Sequence, residues 1–377
     1  QKKNITIELG IVDPGGRSAS RFQRTTLPRE DLLETLWNQI QSRFLRQDKI
    51  DAEETAYALA EKMVQLLDDP YSTFLRPAGS ESFQKQIQGE LSGIGAQVRL
   101  HELGGVEIVT PLPGSPAMAV GVRPADRVTH VDGESILEDT LQQAVEKIRG
   151  PVGSIVKLNI ERNGGKLSFT ITRDKIHMPE IVLTWQDGIA IIKIVQFGEK
   201  TRTAFSTFVQ QALADDPLGL VLDLRNNPGG LLNAAVEVTS HFLPEDAIVA
   251  RIKSRGGEEI RPVLSGRDLV PDDLPVVVLV NGGSASASEI VAGALQDQGR
   301  ATVVGEKTFG KGTVQEVVQF NSGESLKLTI AEWLTPGHRL IEEAGIEPDI
   351  AIEDPGLGSR DDMLLEAVRI VKAKARN

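Results

Sequence analysis

The apolar positions change their rhythm twice along the chain. Over residues 28–68 they recur at helical spacing. Leu32, Leu33, Leu36 and Ile40, then Ala58, Ala60, Met63, Val64 and Leu67, predict two helices. Pro28 and Arg29-Glu30-Asp31 open the first, and Asp69-Pro70-Tyr71 closes the second. Over residues 87–175 short alternating runs between glycine turns predict a small β-rich unit, with one helix carrying Leu141, Ala144, Val145 and Ile148 on a single face. From residue 176 apolar runs at 189–195, 219–225, 275–280 and 301–304 alternate with helical patterns at 201–214, 231–242 and 286–297. Strands at 315–320 and 325–334 and a helix at 361–373 follow. The expected architecture is multidomain α/β, with an extended arm at 1–27 suited to assembly, a helical segment at 28–86, the β-rich unit at 87–175 and an α/β core at 176–377.

In such sheets, sites lie beyond the carboxyl ends of the strands. Two turns fit, Asn226-Asn227-Pro228-Gly229-Gly230 and Gly282-Gly283-Ser284-Ala285-Ser286, each closing an apolar run and opening a helix. The second puts Ser286 at a helix start, where free N–H groups and the helix dipole favour negative charge. Its bland alternative is a capping box, Ser286-Ala287-Ser288-Glu289, and Ser284 and Ser288 are rivals for any catalytic role.

Composition narrows the chemistry. With 377 residues, 40% hydrophobic and 25% charged, the chain has the make-up of a soluble globular protein of two or three domains. A net charge of −12 argues against nucleic acid as the main partner. The absence of cysteine removes disulfides, thiolate catalysis and Cys-zinc sites. The first residues carry no apolar signal core, so the expectation is either an intracellular protein or one whose leader is missing.

Lys311, in Thr308-Phe309-Gly310-Lys311-Gly312-Thr313, is the candidate base. A neutral lysine requires a lowered pKa, which an apolar setting supplied by Phe309 and Val314 would provide. On a strand, 311, 313 and 315 share a side, so the Gln315 amide is placed to hold the lysine. A P-loop is a near miss, because Gly312 stands where Ser or Thr should be and a strand pattern follows. A Ser-His-Asp triad lacks its GxSxG elbow. The SxxK matches, Ser82/Lys85 and Ser154/Lys157, lack their companion motifs.

Residues 87–175, with Ser115-Pro116-Ala117 and Val131-Asp132-Gly133, resemble a PDZ domain of the bacterial protease type. They depart from it at Pro124-Ala125-Asp126, where that family reads Gly-Asp. The resemblance implies that Gly93, Ile94 and Gly95 hold a substrate's C-terminus through their N–H groups. Residues 281–315, with the Ser-Ala-Ser-Ala-Ser-Glu and Phe-Gly-Lys-Gly-Thr-Val-Gln segments, closely resemble the C-terminal processing peptidases, or tail-specific proteases. Asp69-Pro70-Tyr71-Ser72 and Gly345-Ile346-Glu347-Pro348-Asp349 match further landmarks, and the likeness spans about residues 30–352.

The second resemblance implies Ser286 as nucleophile, Lys311 as general base, Gln315 as its orienting partner, and the N–H groups of Gly230 and Ala287 as an oxyanion hole. It also implies an acyl-enzyme, protein substrates with flexible apolar C-termini, and no cofactor or metal. An exported, periplasmic location, a homo-oligomer and an adaptor protein are further expectations of the same kind. Asp297, roughly 16 Å along the helix from Ser286, reads as structural and paired with Arg300. Arg149, after the second PDZ helix, is expected to gate activity by contacting the core. The different-class alternative is a PDZ scaffold on an inactive protease fold.

Overall fold

The computed structural model describes residues 7–9, 29–87, 91–112, 114–139, 141–176, 180–353 and 360–376. The chain gathers into two compact units that do not follow its linear order. One holds residues 1–81, 252–259 and 313–333, and the other holds 82–251, 260–312 and 334–377.

The larger unit is built on Val276–Val280, buried at all five positions. A parallel strand covered on both faces requires such an unbroken apolar run. The six-stranded sheet runs Ile181–Gln186, Ile189–Ile194, Leu220–Asp223, Val276–Val280, Thr302–Gly305, Ile350–Ala351. Its first pair is antiparallel and the rest are parallel. On one face Ile189, Ile191, Val221, Val277, Leu279 and Val304 pack against Met363, Ala367, Val368 and Val371 of the helix Asp362–Lys374. Helices Glu199–Ala214, Leu232–Ser240 and Ala287–Asp297 pack side by side in that order. Because Leu220–Asp223 and Val276–Val280 are parallel neighbours, the two turns singled out in the sequence emerge side by side.

The same unit contains the PDZ-like sheet, in the order Ala96–Leu100, Val106–Pro111, Arg127–Val131, Ile155–Arg162, Gly165–Thr172. Its core is Ile94, Val106, Ile108, Val128, Ile136, Val156, Leu158, Ile160 and Ile171. At the point of departure from the family pattern Ala125 takes φ 65, a conformation that glycine adopts at less cost. The neighbouring Asp126 is fully buried and bonded to the Arg162 guanidinium. A two-stranded ribbon pairs Leu91–Gly93 with Asp174–Ile176.

In the smaller unit the hairpin Thr313–Gln319/Ser325–Leu334 pairs with Thr73–Leu75 along its second strand and with Ile7–Leu9 along its first. The rest of the predicted arm lies outside the described residues. The two predicted helices form at Glu30–Arg43 and Ala52–Gln65, yet neither buries a residue, so their apolar faces stay exposed. The second helix stops at Gln65, before Asp68 turns left-handed at φ 52. Asp69 therefore does not end that helix. It organises the next turn, accepting the Tyr71 N–H at 3.0 Å and the Ser72 hydroxyl. The strands Ile181–Gln186, Ile248–Ser254 and Gly257–Pro262 were not expected from the sequence.

Candidate active site

The serine turn is fastened by side chains that face inward. Asn281 Oδ1 accepts the N–H of Asn226 (2.8 Å) and of Gly283 (3.1 Å), and Asn281 Nδ2 donates to Asn226 Oδ1 (3.1 Å). Ser284 Oγ donates to the Leu224 carbonyl and Ser288 Oγ to that of Asn227 (2.8 and 2.9 Å). Both hydroxyls are fully buried and spent on main chain, which removes the two rivals. Ser286 remains half-buried, at φ 54 and ψ −111, and its hydroxyl does not cap the helix. A non-glycine residue held in this sparsely populated region signals strain of the kind that collects at functional sites.

Glu289 is the residue the sequence reading undervalued. The capping-box pattern predicts that it reaches back to the helix start, and it does accept the Ser286 N–H at 2.7 Å. The same oxygen, Oε2, also accepts the Lys311 N–H at 3.0 Å. Oε1 takes the Gly310 N–H (2.7 Å) and the Thr308 hydroxyl (2.6 Å). A single carboxylate with no exposed surface thus joins the serine turn to the lysine loop. Burial pushes the Glu289 carboxyl up, and the four donors offset only part of that.

The lysine loop is less apolar than expected. Phe309 is 58% exposed and supplies no apolar wall, although Val314 is buried. Glu342 accepts the Gly312 N–H at 2.7 Å. Burial raises the Glu342 carboxyl, and the Gly312 N–H it accepts offsets part of that. The strand begins at Thr313, with a bulge between Val314 and Gln315. The expected alternation therefore covers 313 and 315 only, and Lys311 precedes the strand.

The turn opposite is held from its centre. Asn227, fully buried, donates from Nδ2 to the Ile194 carbonyl (2.8 Å) and accepts the Gly229 N–H (2.9 Å). Its own carbonyl takes the N–H of Ala285 at 3.0 Å. Gly229, at φ 97, comes so near the serine turn that a Cβ there would lie 2.8 Å from Ser286 Cβ and 3.0 Å from the Ala287 nitrogen. Gly230 follows at φ 142, bridged to Phe197. Ala287 is the first residue of its helix, where N–H groups have no partner within the helix. Ser286, Ala287 and the Gly229-Gly230 pair are thus gathered at one place. Arg225, which leads into this turn, is fixed by ion pairs to Asp223 (2.9 Å) and Asp361 (2.8 Å).

The remaining candidates lie elsewhere. Gln315, in the smaller unit, is 4% exposed, and its Nε2 donates to the hydroxyls of Thr313 (2.9 Å) and Thr329 (3.3 Å). Asp297 does not pair with Arg300. It binds Arg339 at 2.5 Å and the Gly337 N–H at 2.7 Å, while Arg300 donates to the carbonyls of Phe242, Pro271 and Leu274. Gly93, Ile94 and Gly95 line a PDZ groove of about 230 Å³, walled by Val145, Ile148 and Ile176. Arg149 lines that groove too, its Cγ 3.8 Å from where a Gly93 Cβ would stand. Among the described residues no cluster of three or more His, Asp or Glu could hold a metal ion.

Comparison with known proteins supplies the family. Residues 188–352 match the model of peptidase family S41, and residues 107–162 match a PDZ domain. A carboxyl-terminal-processing protease of Synechocystis sp. is 37% identical over 327 residues, covering 85% of this chain and 76% of the relative. A Staphylococcus saprophyticus protein named "Probable CtpA-like serine protease" is 38% identical over 82% of this chain and 62% of its own length. Among solved structures, the photosystem II D1 C-terminal processing protease aligns with a TM-score of 0.62 and 27% identity, covering 93% of this chain and 99% of that one. The chain therefore belongs to peptidase family S41, as a PDZ-containing serine protease of the carboxyl-terminal-processing group.

Proposed function

We propose that this protease cleaves proteins that present flexible, apolar C-terminal tails, using Ser286 and Lys311 as a catalytic dyad. Lys311 Nζ, neutral, takes the Ser286 hydroxyl proton as Oγ attacks the peptide carbonyl. The oxyanion is received by the N–H groups of Gly230 and Ala287, preorganised before charge develops. The lysine returns its proton to the leaving amine. Water, activated by the same lysine, then releases the acyl group from Ser286. Gln315 is assigned the orienting role on the family resemblance alone. One observation carries the dyad reading: the N–H groups of Ser286 and Lys311, far apart in sequence, share the single oxygen Glu289 Oε2.

The PDZ groove is the capture site for the tail. Its apolar walls suit aliphatic side chains, and the Gly93-Ile94-Gly95 turn suits a terminal carboxylate. Arg149, lining that groove, supports a role in sensing occupancy. An exported location, self-association and an adaptor rest on the family resemblance alone, and cell fractionation and light scattering test them.

The deciding experiment compares cleavage of an unfolded protein ending in an apolar tail by the parent chain, Ser286→Ala and Lys311→Ala. Both variants should lose turnover while still binding the tail. Turnover by either variant rejects the dyad. Tail binding without cleavage by the parent favours the scaffold reading.

A further inference from the structure

The turn that carries Gly230 has a neighbour besides the serine turn, the main chain of Phe197. The Phe197 N–H donates to the Gly229 carbonyl at 2.9 Å, and the Phe197 carbonyl accepts the Leu231 N–H at 2.7 Å. This parallel bridge brackets Gly230. In such a bridge the bracketed residue turns its own N–H and C=O away from the partner strand. The Gly230 N–H accordingly has no acceptor among the described residues. The approach leaves no room for a side chain, since a Cβ on Gly230 would stand 2.1 Å from the Phe197 oxygen.

Phe197 is bracketed in its turn. It lies between the strand Ile189–Ile194 and the helix Glu199–Ala214, fully buried. Thr201, with no exposed surface, reaches the residues on both sides of it. Thr201 Oγ1 accepts the Gly198 N–H at 3.3 Å, and its one proton goes to the Gln196 carbonyl (2.8 Å) or to Glu180 Oε2 (2.7 Å). The Thr201 N–H, without a partner inside the helix, donates to the same Glu180 oxygen at 2.6 Å. The Glu180 carbonyl accepts the Val195 N–H at 2.8 Å, which ties Glu180 to the run leading into Phe197. All of these residues, with Ser286 and Ala287, belong to one compact unit.

We infer that Thr201, held by Glu180, is a positioning residue for the oxyanion: it fixes the Phe197 strap, and the strap aims the Gly230 N–H. The inference rests on the reading of Gly230 as an oxyanion donor. A glycine at φ 142 has no side chain to hold its direction, so its neighbours must set it. Gly229 meets the serine turn on one side, and Phe197 closes the other. A donor has to be in place before charge develops, because one that must reorient during the reaction loses part of its stabilisation to that movement. Thr201 is wholly buried and acts through main chain alone.

The test compares the parent with Thr201→Val, Thr201→Ser and Glu180→Gln. It measures kcat and KM on the tailed substrate, and inhibition by an apolar peptide aldehyde and by the matching peptide alcohol. The aldehyde carbon takes the Ser286 oxygen, the serine proton passes to Lys311, and the former carbonyl oxygen becomes the group that the oxyanion hole holds. The alcohol forms no such oxygen. Thr201→Val should lower kcat about tenfold, with KM within about twofold of the parent. It should weaken aldehyde inhibition by about the same factor and leave alcohol inhibition unchanged. Thr201→Ser, which keeps the hydroxyl, should regain most of the kcat. If Thr201→Val fails to fold, Glu180→Gln, which keeps the volume and removes only the charge from the clamp, should show the same pattern at about threefold. Parental kcat and aldehyde affinity in the folded variants, or equal losses of aldehyde and alcohol affinity, overturn the strap and leave the oxyanion hole standing. A parent that binds the aldehyde no better than the alcohol overturns the oxyanion reading and the strap with it, while the Ser286→Ala and Lys311→Ala results decide the dyad separately.

Discussion

Two glycine turns to which the proposed function assigns the same demand, to offer main-chain N–H groups to negative charge, are held in opposite ways. The PDZ turn, residues 93–95, is backed by a strand pairing and by an aliphatic groove with Ile148 and Ile176 in its walls. The turn at 226–230 is backed by buried polar groups: Asn227, Asn281, Ser284, Ser288 and, across the serine, Glu289. Apolar packing is non-directional and accommodates many tails. Buried hydrogen bonds fix positions and leave little room to adjust. A site that captures varied tails gains from the first arrangement. One that stabilises charge only in a transition state needs the second.

The sharpest way to break this contrast is Gly229→Ala. A Cβ there would lie 2.7 Å from the Ala285 carbonyl and 2.8 Å from Ser286 Cβ, at φ 97, with no flexible side chain to yield. The turn cannot adjust without moving the serine. Loss of oxyanion geometry should lower kcat by about 10²–10³-fold. Tail affinity, measured by fluorescence anisotropy with a labelled apolar peptide, should change much less. A variant with near-parental kcat would show that this turn is as forgiving as the PDZ one.

The rigid turn was legible in the sequence because its pieces are local. An unbroken apolar run, a glycine turn and the Ser-x-x-Glu pattern occur within a few residues, and each has its own signature. What held the turn was not legible. The role of Glu289 depends on a loop more than twenty residues away, and Asn227 acts on the facing turn through its main chain. Asp297 shows the same limit. Arg300 was the partner suggested by sequence nearness, but the chain brings Arg339 instead and spends Arg300 on carbonyls. The hairpin 248–262 escaped notice because its second strand is almost wholly exposed and carries no apolar alternation. The gathering of 313–333 with the N-terminal residues is a long-range pairing, which no local period encodes.

Acidification should separate the two regions next. The helix Leu232–Ser240, which follows the rigid turn, ends at His241, whose ring has no exposed surface. Its Nδ1 lies 2.7 Å from the Arg267 carbonyl, which requires a proton on Nδ1, and Nε2 is buried with no hydrogen-bond partner among the described residues. Burial, partly offset by that hydrogen bond, lowers the His241 pKa to about 4 from 6.5. The unfolded chain therefore binds this proton first as pH falls. Stability is present in full above pH 6.5 and is lost between 6.5 and about 4, by about 3 kcal/mol at most. Urea unfolding at several pH values should show this slope, and His241→Phe, which cannot titrate, should remove it. An unchanged slope in the variant would assign the acid loss to other groups.

The smallest expected effect tests the adaptable turn from within. Gly93 and Gly95 lie two residues apart in one loop, yet their surroundings differ. At Gly93 a Cβ would meet only the Arg149 Cγ, at an ordinary 3.8 Å. At Gly95, with φ 72, it would stand 2.5 Å from Ser115 Cβ and 2.8 Å from Ile176 Cδ1, both side-chain atoms. Ser115 caps the helix Pro116–Ala119 and Ile176 walls the groove, so relieving the clash at Gly95 must reshape the groove itself. A left-handed alanine costs about 1–2 kcal/mol before any clash is counted. Gly95→Ala should therefore weaken tail binding about tenfold, and Gly93→Ala by less than about twofold. Anisotropy titration of both variants reads this directly. Equal losses would mean that Gly93 needs its glycine for close approach of the tail, and that the PDZ turn tolerates change no better than the turn beside Ser286.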